Sequence, residues 1–232
     1  MSPIPRLEPA SGRRPRQLVV ILHGVGASGA DLIGFAPPLA EALPDALFLA
    51  PDAPNPFDGA PTGRQWFPLR DWRLAVLVPA VRAAAPALTA QLEQLLRENE
   101  VAPENLVLVG FSQGAMMALH VGLRLATPPA AILAYAGMLL DPASLVTELR
   151  KPPAPVLLVH GEDDGIVPAD ASRRAYTALF ALGVPVESRF TPALGHTIDV
   201  GGIMAGADFL RRKVGAGGHP GGEVAPPAGA LR

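Results

Sequence analysis

Five short runs of Val, Ile, Leu and Ala recur along this chain, and segments with helical spacing separate them. Each run is continuously apolar and does not alternate with polar residues, which is typical of strands buried on both faces of a sheet. The alternation of such strands with helices predicts an α/β fold with a mostly parallel, doubly wound sheet and helices on both faces. The predicted strands cover residues 18–22, 46–50, 106–109, 131–134 and 156–159.

The size and composition of the chain predict one globular domain with a tail at each end. The chain has 232 residues and is 49% hydrophobic, which provides enough apolar surface for a single large core. We expect residues 1–15 to be a flexible N-terminal segment and residues 16–214 to form the domain. Residues 215–232 are rich in Gly and Pro and poor in bulky side chains, so we expect a disordered tail.

Charge and cysteine content exclude several classes of function. The net charge is −2, from 19 basic and 21 acidic residues, so nucleic acid is not an expected partner. The chain has no cysteine, which excludes a cysteine nucleophile, a disulfide framework and a thiolate metal site.

No uninterrupted apolar stretch approaches the ~20 residues of a membrane span, so we expect no stable membrane insertion. The apolar run behind Arg13 and Arg14 is too short for a signal sequence, and we expect a cytoplasmic protein, either monomer or homodimer.

A serine lies between two glycines at the end of the third predicted strand, in the sequence Gly110-Phe111-Ser112-Gln113-Gly114. A helix-like segment follows directly, so this G-x-S-x-G motif has the strand-turn-helix context of a nucleophilic serine. Small flanking residues let the Ser112 hydroxyl stand above the sheet, and the start of the helix favours a developing oxyanion. We expect Gln113 to contribute its backbone N–H to an oxyanion hole and not its side chain. A glycine-flanked serine can also be a plain turn residue, but the context favours the nucleophile.

A nucleophilic serine needs a base and an acid, which follow it in the order acid, then histidine, in sites of this type. Asp163 and Asp164 come directly after the strand at residues 156–159, where catalytic groups collect in open α/β sheets. His196 follows Gly195 further along the chain and is the expected base.

The remaining histidines have structural interpretations. His120 falls inside the helix after the serine and is expected to be a packing or surface residue, and His219 lies in the tail. His23 and His160 each close a strand before a glycine, where an imidazole commonly bonds to neighbouring backbone. No spacing supports a metal site, so we expect no metal and no cofactor.

A glycine-rich loop follows the first predicted strand. Gly24, Gly26 and Gly29 nearly form a dinucleotide fingerprint, which would indicate an oxidoreductase. No acidic residue closes a second strand in clear form, since Asp52 follows Pro51 in a proline-rich loop. With a serine motif downstream, the loop is interpreted as the second oxyanion donor, through the backbone N–H of Val25.

Together these motifs resemble the phospholipase/carboxylesterase family of α/β-hydrolases, which includes bacterial carboxylesterases and acyl-protein thioesterases. The resemblance spans about residues 18–214 and rests on residues 22–26, 110–115, 160–168 and 195–196. It implies the α/β-hydrolase fold, without a separate lid domain because the connection after residues 131–134 is short.

The resemblance also implies site residues. It places the acid at Asp164, three residues before Val167, so that Asp163 would only cap the turn. Asp199 is the next alternative for the acid, and the other interpretation of this residue is a helix N-cap. Trp66 and Phe67 would line an acyl pocket beside the serine, or they would simply plug the edge of the core.

The predicted activity is that of a serine carboxylesterase acting on short to medium acyl esters, with a small-molecule ester or thioester as substrate. Ser112 is the expected nucleophile, His196 the base and Asp164 the acid that orients it. The alternatives are an acyl-protein thioesterase or lysophospholipase with the same triad, and a catalytically inactive hydrolase fold used as a binding module.

Overall fold

A computed structural model of the chain describes residues 3–60 and 62–215. The strands are β1 (Arg6–Leu7), β2 (Gln17–Leu22), β3 (Ala46–Leu49), β4 (Asn55–Pro56), β5 (Arg64–Gln65), β6 (Leu106–Phe111), β7 (Ala131–Tyr135), β8 (Val156–Gly161) and β9 (Val186–Thr191). The α-helices are α1 (Gly29–Leu32), α2 (Ala36–Ala40), α3 (Leu74–Glu98), α4 (Gln113–Gly122), α5 (Leu145–Glu148), α6 (Asp170–Ala181) and α7 (Val200–Leu210).

Seven of the strands form one sheet in the order β1-β3-β2-β6-β7-β8-β9. Six of them run parallel and only β1 is antiparallel to its neighbour. The five predicted strands are confirmed, and each is fully or almost fully buried along its length. Strand β6, which carries the serine at its end, lies in the middle of the sheet.

Helices cover both faces of the sheet, so the predicted fold class is confirmed. On one face, alternate residues of the strands pack with α3, α4, α5 and α6. On the other face, the intervening residues pack with α1, α2 and α7. Within the described residues, the connection from β7 to β8 holds a short 3₁₀ turn and α5, and it adds no separate lid domain.

The two chain ends differ from the prediction where the structure describes them. Residues 1–15 were expected to be flexible, but β1 pairs with β3 at the edge of the sheet because its main chain completes the hydrogen bonds of that strand. Gly215, the first residue of the predicted tail, instead closes a helical turn over Arg211–Gly215. The rest of the predicted tail, residues 216–232, lies outside the described residues.

The proline-rich segment from Pro51 to Pro68 contains regular structure. Strands β4 and β5 form a two-stranded antiparallel hairpin within it. Strand β4 pairs with β5 on one side only. Pro56 is therefore tolerated, because an N–H that is missing on the unpaired side costs the sheet no hydrogen bond.

Helix α3 is 25 residues long and continues through Pro79 and Pro86. By length and composition alone it is apolar enough to cross a membrane, although the sequence predicted no such stretch. In the structure, its side chains at Leu77, Val81 and Leu88 are buried in the core of the domain. The helix therefore packs as one of the helices that cover the sheet.

Candidate active site

Ser112 occupies a strained turn between β6 and α4. Its backbone has φ 54° and ψ −118°, a conformation that residues with a side chain rarely adopt. A Cβ added at Gly110 would lie 2.3 Å from the carbonyl oxygen of Gly114, and one at Gly114 would lie 2.0 Å from that of Leu22. The two glycines of the motif are thus required by the close approach of main chain on both sides of the serine.

The structure brings the predicted serine, histidine and aspartate together. His196 Nε2 lies 3.0 Å from the Ser112 hydroxyl, and His196 Nδ1 lies 2.7 Å from Asp164 Oδ2. Asp164 follows β8 and His196 lies between β9 and α7, so both loops leave the carboxyl edge of the sheet. Side chains separated by 84 and 32 residues in sequence therefore form one continuous chain of hydrogen bonds.

The environment of Asp164 keeps its carboxyl group ionised. Burial would raise the pKa of Asp164, but the hydrogen bond from His196 and those from the N–H groups of Ile166 and Val167 lower it below its ordinary value. An ionised carboxylate only accepts hydrogen bonds, so His196 carries its proton on Nδ1. The lone pair of Nε2 is then directed at the Ser112 hydroxyl, as a general base requires.

The rings of Phe111 and His196 are in contact. The two ring centroids lie 5.0 Å apart with an interplanar angle of 42°, so the residue before Ser112 packs against the histidine.

The glycine-rich loop lies against the serine. A Cβ added at Gly24 would be 3.2 Å from Ser112 Cβ, which is tighter than most such contacts. Within the described residues, the N–H groups of Val25 and Gln113 have no hydrogen-bond acceptor, and Gln113 is the first residue of α4. Two such N–H groups on either side of a serine can bind a negatively charged oxygen.

The side chains of His23 and Asp52 hold this loop in place. His23 Nε2 accepts a hydrogen bond from Ala53 N–H at 2.9 Å, so its Nδ1 carries the proton and donates to Gly24 O at 2.7 Å. Burial lowers the pKa of His23, which keeps the ring neutral. Asp52 accepts a hydrogen bond from Gly29 N–H at 2.8 Å. Asp52 lies in the proline-rich segment and supports the loop through this hydrogen bond. In a dinucleotide site, an acidic residue would instead bind the ribose.

The side chain of Gln113 has a role that the sequence did not predict. Its oxygen accepts a hydrogen bond from Trp66 N–H at 2.8 Å, and its amide nitrogen donates to Phe67 O at 2.7 Å. Gln113 is fully buried, so both of these main-chain groups depend on it for a partner. The expectation that only the backbone of Gln113 matters was wrong, because this amide joins α4 to the loop after β5.

Trp66 and Phe67 lie inside the core. They are 2% and 1% exposed, and Trp66 Nε1 donates to His23 O at 2.9 Å. This burial favours the interpretation that they plug the edge of the core over the one that they line an open acyl pocket.

A different set of apolar side chains lines a small cavity, and neither Ser112 nor His196 is among them. Phe111 precedes Ser112 and Ile198 lies two residues after His196, and both line this cavity. The other lining residues are Ile21, Leu32, Phe35, Leu39, Val109, Gly110, Tyr135 and Ile203. Its enclosed space has room for a group about the size of a water molecule.

Asp163 and Asp199 were the alternatives to Asp164 for the acid. Asp199 caps the N-terminus of α7 and accepts a hydrogen bond from Gly202 N–H at 2.7 Å, as its alternative role predicted. Asp163 is exposed and was expected to cap the turn, but Asp164 Oδ1 does so by accepting from Ile166 and Val167. The turn is therefore held by the same carboxylate that contacts His196.

Two other histidines are buried, and one of them reaches the site. His120 is 2% exposed, and burial lowers its pKa to about 4. His160 Nε2 lies 3.1 Å from Asp164 Oδ2, a contact that the sequence did not predict. Its position at the strand end just before the acidic loop is the signal that would have indicated it. His219 lies outside the described residues.

Metal binding has no evident place in the part of the chain that the structure describes. There, no group of three or more His, Asp or Glu side chains has the arrangement to hold a metal ion.

A serine held at a strained strand-to-helix turn, in reach of a histidine and an acid from later loops, is how α/β-hydrolases present a nucleophile. Comparison with known families agrees with this class of protein. The family model described as Phospholipase/Carboxylesterase matches residues 8–214, and the chain belongs to this family.

Individual relatives support the same assignment. The crystal structure of esterase PE8 has 39% sequence identity and a TM-score of 0.86, with 91% of this chain and 98% of that chain covered. Esterase YpfH of Escherichia coli strain K12 is 28% identical over 199 residues, with 84% of this chain and 82% of that protein covered. Acyl-protein thioesterase 1 of Kluyveromyces lactis is 25% identical over 178 residues, with 72% and 78% covered. The chain is therefore a hydrolase of the carboxylesterase or thioesterase kind.

Proposed function

We propose that this protein is a serine carboxylesterase that hydrolyses short to medium acyl esters through an acyl-enzyme intermediate on Ser112. The observation that carries the proposal is the continuous hydrogen-bond chain from Ser112 through His196 to Asp164, with distances of 3.0 and 2.7 Å. The strained backbone of Ser112 supports it, since strain of this kind persists where the surrounding structure holds a reactive group in place.

In the first step, Ser112 Oγ attacks the carbonyl carbon of the ester. His196 Nε2 accepts the hydroxyl proton as the bond forms and then gives it to the leaving alcohol. Asp164 keeps the proton of His196 on Nδ1 and stabilises the imidazolium that forms. In the second step, water attacks the acyl-enzyme and His196 repeats the same proton transfers, which releases the acid and restores Ser112.

The negative charge that develops on the carbonyl oxygen needs donors. We assign this role to the N–H groups of Val25 and Gln113, each worth about 2.7–4 kcal/mol in sites of this kind. Gln113 begins α4, so the positive end of the helix adds to the stabilisation.

A short acyl group is supported by the small size of the apolar cavity that Phe111 and Ile198 line. This cavity has room for a group about the size of a water molecule, and Ser112 is not among its lining residues. A long acyl chain would have to lie on the surface of the protein, and the deeply buried Trp66 and Phe67 do not open a channel for it.

The test is a series of p-nitrophenyl esters, from acetyl to long acyl chains, with the wild type and the Ser112→Ala variant. Ser188→Ala is the matched control, because Ser188 is exposed on β9. We expect activity on the short esters in the wild type and control, and its loss in Ser112→Ala. A long-chain optimum would favour a thioesterase or lysophospholipase, and a folded wild type without any activity would favour an inactive binding module.

A further inference from the structure

Asp164 lies between two histidines. Its Oδ2 accepts hydrogen bonds from His196 Nδ1 at 2.7 Å and from His160 Nε2 at 3.1 Å. The side chains of His160 and Asp164 are both 0% exposed, so water cannot replace either group. The mechanism above uses only His196, and it leaves the second histidine without a function.

The partners of His160 determine which of its nitrogens carries the proton. Nε2 faces Asp164 Oδ2 and, at 2.8 Å, the carbonyl oxygen of Val167, and both of these groups only accept hydrogen bonds. Nε2 is therefore protonated. Nδ1 lies 2.7 Å from the hydroxyl of Ser172, which donates to it from α6. Burial lowers the pKa of His160, so the ring is neutral and donates from Nε2 alone.

His160 completes the set of donors around the Asp164 carboxylate. Oδ1 accepts from the N–H groups of Ile166 and Val167 at 2.8 and 2.9 Å, while Oδ2 accepts from the two histidines. Without His160, Oδ2 would keep a single donor, and that donor is the group that changes its charge during the reaction. A buried carboxylate with all its donors in place has one orientation, whereas one with a missing donor has room to turn.

We propose that His160, oriented by Ser172, is a positioning residue that holds the Asp164 carboxylate where His196 needs it. This inference rests on the function proposed above. The ionisable groups that act on His160 within the described residues are Asp164, which it contacts, and His196 beyond it. Because His160 does not contact the substrate, its loss lowers kcat and leaves KM nearly unchanged.

The test compares His160→Leu, which removes the donor, with His160→Gln, whose side-chain amide restores an N–H near the position of Nε2. His120→Leu is the matched control, since His120 is also buried but lies outside the site. We expect kcat on the best short ester to fall roughly 10- to 100-fold in His160→Leu, as for a small displacement of a catalytic group, and to recover in part in His160→Gln.

The rescue by Gln and the split between kcat and KM separate positioning from a merely structural role. A loss of packing alone would be the same in His160→Leu and His160→Gln, whereas a lost donor is restored in part by the glutamine amide. Wild-type kcat in His160→Leu would overturn the proposal. Equal losses of kcat in the Leu and Gln variants would also overturn it.

Two further variants keep the test decisive. If His160→Leu does not fold, Ser172→Ala removes only the hydroxyl that fixes the tautomer, and a smaller effect in the same direction is expected. An unchanged kcat in folded Ser172→Ala would then refute the positioning role. Ser112→Ala is measured in parallel, because activity in that variant would refute the proposed function itself. An inactive Ser112→Ala beside a fully active His160→Leu would refute the positioning role alone.

Discussion

Gln113 and Trp66 are joined by a hydrogen bond of 2.8 Å between the side-chain oxygen of Gln113 and the main-chain N–H of Trp66. The amide nitrogen of the same side chain donates to Phe67 O at 2.7 Å. The residue that follows the proposed nucleophile thus holds the loop after β5 against the start of α4. This contact couples the stability of the loop to the geometry of the site.

Replacing Gln113 by Ala is expected to destabilise the protein. The change leaves the buried N–H of Trp66 and carbonyl of Phe67 without partners, at about 1–3 kcal/mol for each. The measurement is the free energy of unfolding in urea at pH 7. Gln94→Ala is the control, because Gln94 is exposed on α3, and its effect is expected to be within about 0.5 kcal/mol. A Gln113→Ala variant as stable as the control would show that the Gln113 side chain does not hold the loop after β5.

Asp164→Asn is expected to lower kcat by about 10⁴-fold, as in other Ser-His-Asp triads, because an amide allows the wrong tautomer of His196. Asp163→Asn changes the exposed neighbour in the same way and is expected to keep wild-type activity. Steady-state kinetics on one short ester distinguishes the two variants. A large loss in Asp163→Asn with little change in Asp164→Asn would show that the acid is misassigned.

Gly114→Ala is expected to destabilise the fold by about 3 kcal/mol or more, since the added methyl group has no room. Its Cβ would lie 2.0 Å from the carbonyl oxygen of Leu22, which is main chain and cannot rotate away. Gly165→Ala is the control, because an added Cβ there has no heavy atom within 4 Å. Thermal unfolding checks both variants, and a Gly114→Ala melting temperature equal to that of the control would contradict the packing described.

The turn that carries Ser112 between β6 and α4 was predictable from the sequence because its requirements are local. Gly110 and Gly114 sit at fixed offsets from Ser112, and the strand and helix on either side have clear apolar patterns. The buried strands were predictable for the same reason. Strand β9 was missed because its residues are partly exposed at the edge of the sheet and include Glu187 and Arg189.

The contacts that the sequence could not show are made between distant residues. Gln113 reaches Trp66 across 47 positions, and nothing in either local pattern indicates the other. The hydrogen bond from His160 to Asp164 spans only four positions, but it depends on how the loop after β8 turns back on the strand end. The family resemblance placed the proposed acid at Asp164, while the groups that hold this carboxylate are visible only in the folded chain.

The buried His120 is expected to make the protein sensitive to acid. Burial lowers its pKa from 6.5 in the unfolded chain to about 4 in the folded protein, so the unfolded state takes up a proton first as the pH falls. Its contribution to stability is therefore complete above pH 6.5 and is lost progressively between pH 6.5 and 4. The loss is on the order of 3 kcal/mol.

His120→Leu tests this pH dependence directly. The variant removes the titrating group, and it also removes Nδ1, which has no hydrogen-bond partner within the described residues. Urea unfolding at pH 7 and at pH 4 is expected to show a smaller loss of stability in the variant than in the wild type. Identical losses in the two proteins would show that His120 does not contribute.

Acylation of Ser112 during catalysis can be tested with an active-site label. The protein is incubated with a fluorophosphonate, and the modified residue is located by peptide mass spectrometry while esterase activity is followed in the same samples. We expect one adduct per chain, on Ser112, and a loss of activity in proportion to labelling. Activity that persists in fully labelled protein, or inactivation by an adduct on another residue, would contradict it.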